Sequence, residues 1–399
     1  MNFLILGDGP EERAWAAAIA ADASHRIAAV FPGWADADIE WPAPARDLDD
    51  ALATAGLDAA VVGGPPETRA EALRRAAAEG FAIICLHPPG DDSEAYYQVA
   101  LSRAETGAVI VPDLPARLHP GVLALRQTLS GPDAAAFRVV RFESPADPTG
   151  TDLARHACAR AADLVRSLVG EIEAVNATGD PPGVRPTESL VVQLRAALSR
   201  RAEVRLWDGP AEPSHLILSG PSAVLTLELP PRLDGPSRLV RRDADGRETV
   251  TEFEPWDRRA AILSTLSDAL AGRPASPDLA DGTRATEIAE GVVRSLRRGR
   301  TVELHYEEMS ESGTFKSIMT SLGCLVLLSI LVIIPIALSG PVLGMPWLIY
   351  IAYAVPPVLV GFIFVQLLRF AIRDPSEERA RPRGANGSRG ENGKRKTEN

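Results

Sequence analysis

Residues 57–90 read LDAAVVGGPPETRAEALRRAAAEGFAIICLHPPG. Apolar runs at 57–64 and 81–85 flank a stretch, 67–80, rich in the strong helix formers Ala, Leu, Glu and Arg. Gly80 ends that helix, because glycine accepts the left-handed backbone that stops one. Strand, helix and strand at this spacing form a βαβ unit with parallel strands. The second apolar run stops at His87, Pro88 and Pro89. A buried strand ending at a rigid turn is where α/β proteins keep reactive groups.

The alternation continues on both sides. Strands are predicted at 2–7 and 26–31, and helices at 11–22 and 47–56. A further helix (92–107) and strand (108–112) follow. The class is therefore α/β, with an N-terminal Rossmann-like doubly wound parallel sheet over residues 1–117. After Pro120 the order changes. A helix at 119–130, a strand at 137–144 and a helix at 152–169 precede strand-like runs at 172–177, 190–198, 202–207, 214–219, 222–229, 237–242 and 248–253. Strands in series predict a mainly antiparallel sheet, so 118–308 reads as a second α+β domain for substrate binding or oligomerisation. Helices at 256–271 and 281–298 close it, with TVELHY (301–306) after them, where His305 and Tyr306 are expected to pack on the sheet.

Residues 318–338 and 346–368 carry no charged side chain. Each is long enough to cross a bilayer core of ~30 Å, and SGPVLGM joins them, so 309–373 is predicted to form a transmembrane hairpin. Lys316 precedes the pair and Arg369 and Arg373 follow it, which puts the globular body and both termini on the cytoplasmic side, at an inner membrane. The polar tail, 374–399, is expected to be disordered, with a basic excess that suits anionic lipid.

Net charge is −11, and the acidic excess lies in residues 1–315, with 32 basic against 48 acidic side chains. Such a body lacks the basic face that nucleic acid needs. Cys85, Cys158 and Cys324 match no zinc or redox spacing, and no other metal-ligand pattern is present. The opening MNFLILGDG has no basic start and only a short apolar run, so no secretory signal is expected.

The same opening places Gly7 and Gly9 between the first strand and first helix. A dinucleotide fold turns there under the cofactor's pyrophosphate, the first glycine allowing the turn and the second letting backbone approach phosphate. The third glycine position is Glu12, preceded by Glu11. Acids in a first helical turn stabilise the helix by ~0.3–1 kcal/mol each, yet oppose a bound pyrophosphate. The motif is a half-match. The ribose-binding acid expected after the second strand is replaced by Phe31-Pro32-Gly33, with Asp36 and Asp38 beyond it.

These pieces, in this order, resemble the Gfo/Idh/MocA family of NAD(P)-dependent oxidoreductases over about residues 1–308. LDAAVVGGPPETRAEALRRAAAEGFAIIC is similar to the strand, Pro65-Pro66 turn, helix and strand before that family's lysine motif. VPDLPARLHPGVLALRQTL, with Arg117 and Pro120, resembles its entry to the second domain. GTDLARHACARAADLVRSLVG fits the helix of its catalytic pair, with Asp163, Leu168 and Gly170 matching, and DGTRATEIAEGVVRSLRRGRTVEL resembles its closing helix and strand.

The departures fall on the chemistry. Leu86, His87 and Pro88 stand on the Glu-Lys-Pro motif, so His87 replaces the lysine, and the first lysine of the chain is Lys316. His156 and Arg160 stand on the aspartate and histidine, and Arg69 lies near the place of a histidine after the Pro-Pro turn. The resemblance implies NAD or NADP at Gly7, Gly9, Pro65, Pro66 and His87, unless cofactor binding is lost, and a catalytic set of His87, His156 and Arg160. Histidine suits a general base, and the planar fork of arginine suits a substrate carboxylate or phosphate.

Two readings remain open. One is a membrane-anchored protein with degenerate motifs that binds a nucleotide, a sugar-like ligand or a partner without redox turnover. The other is a divergent NAD(P)-dependent oxidoreductase acting on a sugar or polyol. A homo-oligomer through the open face of the second sheet is expected by analogy with the family.

Overall fold

The computed structural model describes residues 1–305, apart from 35–41, 43–44, 132–133, 135, 147–151, 182–186 and 197–199, together with Pro335. Asp36, Asp38, Tyr306, the proposed spans 318–338 and 346–368, and the tail 374–399 lie outside the described residues. Among those described, no helix is long and apolar enough to cross a membrane.

Strands β1 (Asn2–Leu6), β2 (Arg26–Phe31), β3 (Ala59–Val62), β4 (Ala82–Leu86) and β5 (Ile110–Asp113) form a parallel sheet in the order β2-β1-β3-β4-β5. β3 and β4 are buried throughout, as unalternated apolar runs covered on both faces must be. One face packs Leu4, Leu73, Ile83 and Tyr96, using helices α3 (Pro66–Ala78) and α4 (Glu94–Thr106). The other packs Phe3, Ile5, Trp15 and Ile19, using α1 (Pro10–Ala21). α2 (Leu48–Leu52) is shorter than the predicted 47–56. The chain leaves β1 toward β2 and returns to β3 on the opposite side, so the strand order reverses between β1 and β3. Their carboxyl ends flank the crevice in which such sheets bind ligands.

The second sheet has nine strands in the order β13-β12-β11-β10-β6-β9-β8-β7-β14. In sequence they are β6 (Val139–Ala146), β7 (Ile172–Asp180), β8 (Ser189–Ala196), β9 (Arg201–Asp208), β10 (Ser214–Ser219), β11 (Ala223–Leu229), β12 (Ser237–Asp243), β13 (Glu248–Phe253) and β14 (Val302–Glu303). All pairs are antiparallel except β6 with β9. Residues along β8 alternate between buried and exposed, because only one face is covered. That cover is α5 (Pro120–Ser130), α6 (Cys158–Val169) and α8 (Leu279–Arg298). The predicted helix 152–169 begins as a π-helical turn, Leu153–Ala157, before α6. α7 (Arg258–Leu270) instead turns Ile262, Leu263 and Leu266 onto the first sheet's core. His305 is exposed rather than packed on the sheet.

A buried ion network joins the two sheets. Arg117 sits in a 3₁₀ turn, Pro115–Leu118, directly after β5. Its Nη2 lies 3.0 Å from Asp163 Oδ1 on α6, and its Nη1 donates to Ser276 Oγ at 2.6 Å and pairs with Asp281 at the start of α8. Arg166, a further turn along α6, also pairs with Asp281. Asp278 and Asp281 form a reciprocal capping box on α8. Two residues beyond Arg117, His119 caps α5, its Nδ1 accepting from Gly121 N–H at 3.1 Å. Burial lowers the His119 pKa to about 4.

Arg117→Ala strips the buried Asp163 of its partner and is expected to destabilise the protein by about 3–5 kcal/mol, read as a lower urea midpoint at unchanged slope. His119 stays neutral in the folded protein down to about pH 4, whereas the unfolded chain takes up its proton below about pH 6.5. Protonation therefore favours unfolding as pH falls across that window. His119→Asn keeps a capping oxygen and removes the titrating ring. Its melting temperature should fall less than the wild type's between pH 7 and pH 4, and parallel curves would exclude His119 as a source of acid lability.

Candidate active site

Gly7 follows β1 with φ +117, in the region that favours glycine, and donates its N–H to Phe31 O at 2.8 Å. A Cβ there would lie 2.5 Å from Gly64 N. Trp34 Nε1–H donates to the carbonyl of Gly7 at 3.0 Å, and Arg13 lies over its ring. Gly9 stands at the N-cap of α1, with Pro10 in the first helical position.

The two glutamates that follow go separate ways. Glu11 pairs with Arg258 at 2.7 Å and Arg259 at 3.0 Å, reaching α7. Burial raises its carboxyl, but the two guanidinium groups prevail and hold the pKa below the usual value. Glu12 turns inward and is 4% exposed. Its Oε1 accepts from Gly64 N–H at 2.6 Å. Side chains on Gly7, Gly9 or Gly63 would collide with it.

Pro65 and Pro66 start α3 as N-cap and first helical residue. One turn on, Arg69 donates to three carbonyls: Gly64 O at 3.1 Å through Nε, and Leu86 O at 3.3 Å and Pro88 O at 2.6 Å through Nη1. It ties the turn after β3 to the turn after β4. His87 occupies that second turn, 3% exposed, with Nδ1 2.9 Å from Tyr96 Oη. Its Nε2 has no hydrogen-bond partner among the described residues. Burial above all, then the charges of Arg160 and Arg69, push its pKa well below the ordinary value, so the ring is neutral at pH 7.

Arg160 on α6 donates from Nη1 to His87 O at 3.1 Å. It lies open to the cleft yet is surrounded by protein, and desolvation with the nearby Arg69 lowers its pKa. It remains a cation, as arginine does in proteins. No carboxylate among the described residues is ion-paired with it, nor with Arg69. Asp163, one turn beyond, is pushed up to about 7 by burial against the opposing pull of Arg117. Asp113 closes β5, accepting from Trp15 Nε1–H at 3.1 Å, and burial raises its pKa too.

These groups line one cleft of about 720 Å³, within the range of small-molecule sites. Gly9, Pro65, His87 and Arg160 line it, while Gly7 and Pro66 are not among the lining residues. His156 is not among the lining residues. Its place in the π-helical turn sets Nε2 3.5 Å from Asp91 Oδ1, on the loop after β4. Burial lowers its pKa, against the pull of Asp152 and Asp91. Cys85 and Cys158 are buried thiols pushed up to about 12, and so are inert. Sequence reading did not assign Asp113, Tyr96 or Arg258 to the site. Nothing local marks them; β5 brings Asp113, α4 brings Tyr96 and α7 brings Arg258.

No protein-family model matches the chain. Inositol 2-dehydrogenase of Rhizobium meliloti (strain 1021) is 29% identical over 133 residues, which span 32% of this chain and 40% of that protein. A crystal structure of a proposed myo-inositol dehydrogenase from Sinorhizobium meliloti 1021 superposes with TM-score 0.62 at 22% identity, covering 76% of this chain and 100% of that one. An oxidoreductase from Agrobacterium radiobacter, solved with NAD⁺, L-tartaric acid and magnesium, gives TM-score 0.60 at 15% identity, covering 76% and 98%. The chain thus shares the fold of these solved structures, a Rossmann-like parallel sheet followed by a mainly antiparallel one.

The residues fit a nicotinamide dinucleotide at one end. The cleft beside His87, Pro65 and Arg160 is roomy and partly apolar. At the glycine turn the fit fails as built, since the Glu12 side chain fills the space between Gly7, Gly9 and Gly63.

Proposed function

We propose that this chain is a divergent NAD(P)-dependent oxidoreductase that takes a polyhydroxylated, anion-bearing small molecule such as a sugar acid, sugar phosphate or polyol acid. The carrying observation is the pairing, in one cleft, of a neutral histidine whose Nε2 has no partner among the described residues and an arginine with no carboxylate partner among them. The dehydrogenase fold and the inositol-dehydrogenase relative support it.

His87 is the proposed base. With the ring proton on Nδ1, donated to Tyr96 Oη, the Nε2 lone pair is unpartnered among the described residues but buried, and it takes a hydroxyl proton from substrate only once the cleft wall at His87 opens to admit one. Tyr96 stays protonated because burial raises its pKa well above the ordinary value. Arg160 holds the substrate anion through its fork and, by donating to His87 O, fixes its own position against the base. With Glu12 out of the glycine turn, Gly9, Pro65 and the His87 backbone would hold the cofactor, which would supply a hydride acceptor. His156, outside the cleft lining, is a positioning group through Asp91 in this scheme.

A second reading, a ligand-binding module without turnover, is favoured by Glu12 in the glycine turn. Calorimetric titration with NADH and NADPH, followed by cofactor reduction against sugar acids, sugar phosphates and neutral polyols, separates the two. Turnover should favour anionic substrates. His87→Ala should lower kcat by about 10²–10⁴-fold, and Arg160→Ala should raise KM for anionic substrates more than for neutral ones. Unaltered turnover in His87→Ala would remove it as the base. Substrate binding without cofactor reduction would establish the module.

Attachment to a membrane by a hairpin over 318–338 and 346–368 is a separate proposal, carried by those uncharged stretches. Residues Met1–Glu307 form one compact unit by themselves. Deleting 316–399 should move the protein from the membrane pellet to the supernatant with its thermal transition retained. A truncated protein still in the pellet would overturn the anchor. Self-association through the exposed face of the second sheet, where Val191, Val224 and Val250 lie open, is likewise proposed.

A further inference from the structure

The glycine turn contains an anion of the chain's own. Glu12 stands where dinucleotide folds place the third glycine, and its side chain passes between Gly7, Gly9 and Gly63. A Cβ on Gly9 would lie 2.5 Å from Glu12 Oε2, and one on Gly7 would lie 2.8 Å from Glu12 Cγ. Glu12 Oε1 takes the N–H of Gly64, at the end of the neighbouring parallel strand. The donors such folds offer to phosphate are the backbone N–H groups of the glycine turn and the helix N-terminus beside it. Here a carboxylate already lies against that turn, anchored across the crevice by the N–H of Gly64.

The surroundings are shaped for this. Gly63 and Gly64 form a diglycine at the end of β3, and a side chain on Gly63 would strike Glu12 Oε1. The second charge of the pair, Glu11, is drawn away by Arg258 and Arg259. Glu12 has no basic side chain paired with it among the described residues; it is held by backbone alone. It also lines the cleft, so it meets whatever enters.

We infer that Glu12 is an internal occupant of the pyrophosphate seat, competing with the cofactor for the glycine turn and setting its affinity. This rests on the dinucleotide reading of the cleft. Two consequences follow from one side chain: its bulk fills the space a phosphate needs, and its charge repels the phosphate that approaches. Cofactor binding by the wild-type chain then requires Glu12 to swing out and give up the Gly64 N–H. Substitutions that remove charge, or charge and bulk, separate the two effects.

The test uses the full chain and reads binding rather than turnover. NADH and NADPH are titrated calorimetrically and by quenching of tryptophan fluorescence into wild type, Glu12→Gln and Glu12→Ala. Glu12→Gln keeps the shape and an oxygen for Gly64 N–H, which preserves folding if the alanine variant is unstable. Thermal melts confirm that each protein is folded. The expected result is tightening of at least tenfold in Glu12→Ala, with Glu12→Gln between it and wild type. Equal dissociation constants in the folded proteins, or weaker binding in the variants, would overturn the role of Glu12 and leave the dinucleotide reading standing. Absence of binding in all folded proteins at millimolar cofactor would overturn the dinucleotide reading itself, and the inference with it.

Discussion

Arg117 is a guanidinium almost without access to water, placed in the short link by which the chain leaves the parallel sheet. An isolated buried cation is costly, and this one is compensated by Asp163 from α6, Asp281 from α8 and the hydroxyl of Ser276. Because Asp163 lies one turn from Arg160 on the same helix, fixing its position also fixes where Arg160 reaches the strand end that bears His87. Arg166 repeats the attachment one turn later through Asp281. The cleft therefore depends on an ion network that does not belong to its chemistry, and the relation of helix to strand end is electrostatic as much as apolar.

Desolvation governs the charges within the cleft. Burial raises the carboxyls of Asp113 and Asp163 and lowers the imidazole of His87. Two guanidinium groups near His87 act in the same direction. A neutral imidazole in a cationic surround is a weaker base than a free one, but its lone pair is available over the whole physiological range. The same surround attracts an anion, and with Arg69 satisfied by three carbonyls, Arg160 is the group with donors to spare. A lysine at position 87 would bring a third strong cation beside Arg160 and Arg69. Set against the pattern of the family the sequence resembles, histidine in the lysine's place and arginine in the histidine's place are physically consistent as a pair, with one cation standing on the helix instead of at the strand end.

Glu12 and the diglycine Gly63-Gly64 are also coupled. A glutamate at a position normally kept small is accommodated because the neighbouring strand ends without side chains. Neither feature is explained alone: the glutamate would be excluded by an alanine at position 63, and the diglycine would leave a void without the glutamate. Their contact spans more than fifty positions in sequence and only one pair of hydrogen-bonded strands, β1 and β3.

The sequence determined both sheets, their parallel and antiparallel character and nearly every element, since apolar period, glycine stops and strand spacing are local properties of the chain. It also marked Gly7, Gly9, Pro65 and His87, because each sits at an element boundary, whereas Arg160, inside a helix, was marked only through the family the sequence resembles. It could not show that α7 returns to the first sheet, that His156 turns to Asp91, or that Glu12 folds inward while Glu11 folds outward. Adjacent glutamates are equivalent to any local rule. Only the tertiary structure, by setting two arginines near one and four glycines around the other, distinguishes them, because burial and charge pairing are decided by whatever the fold brings alongside.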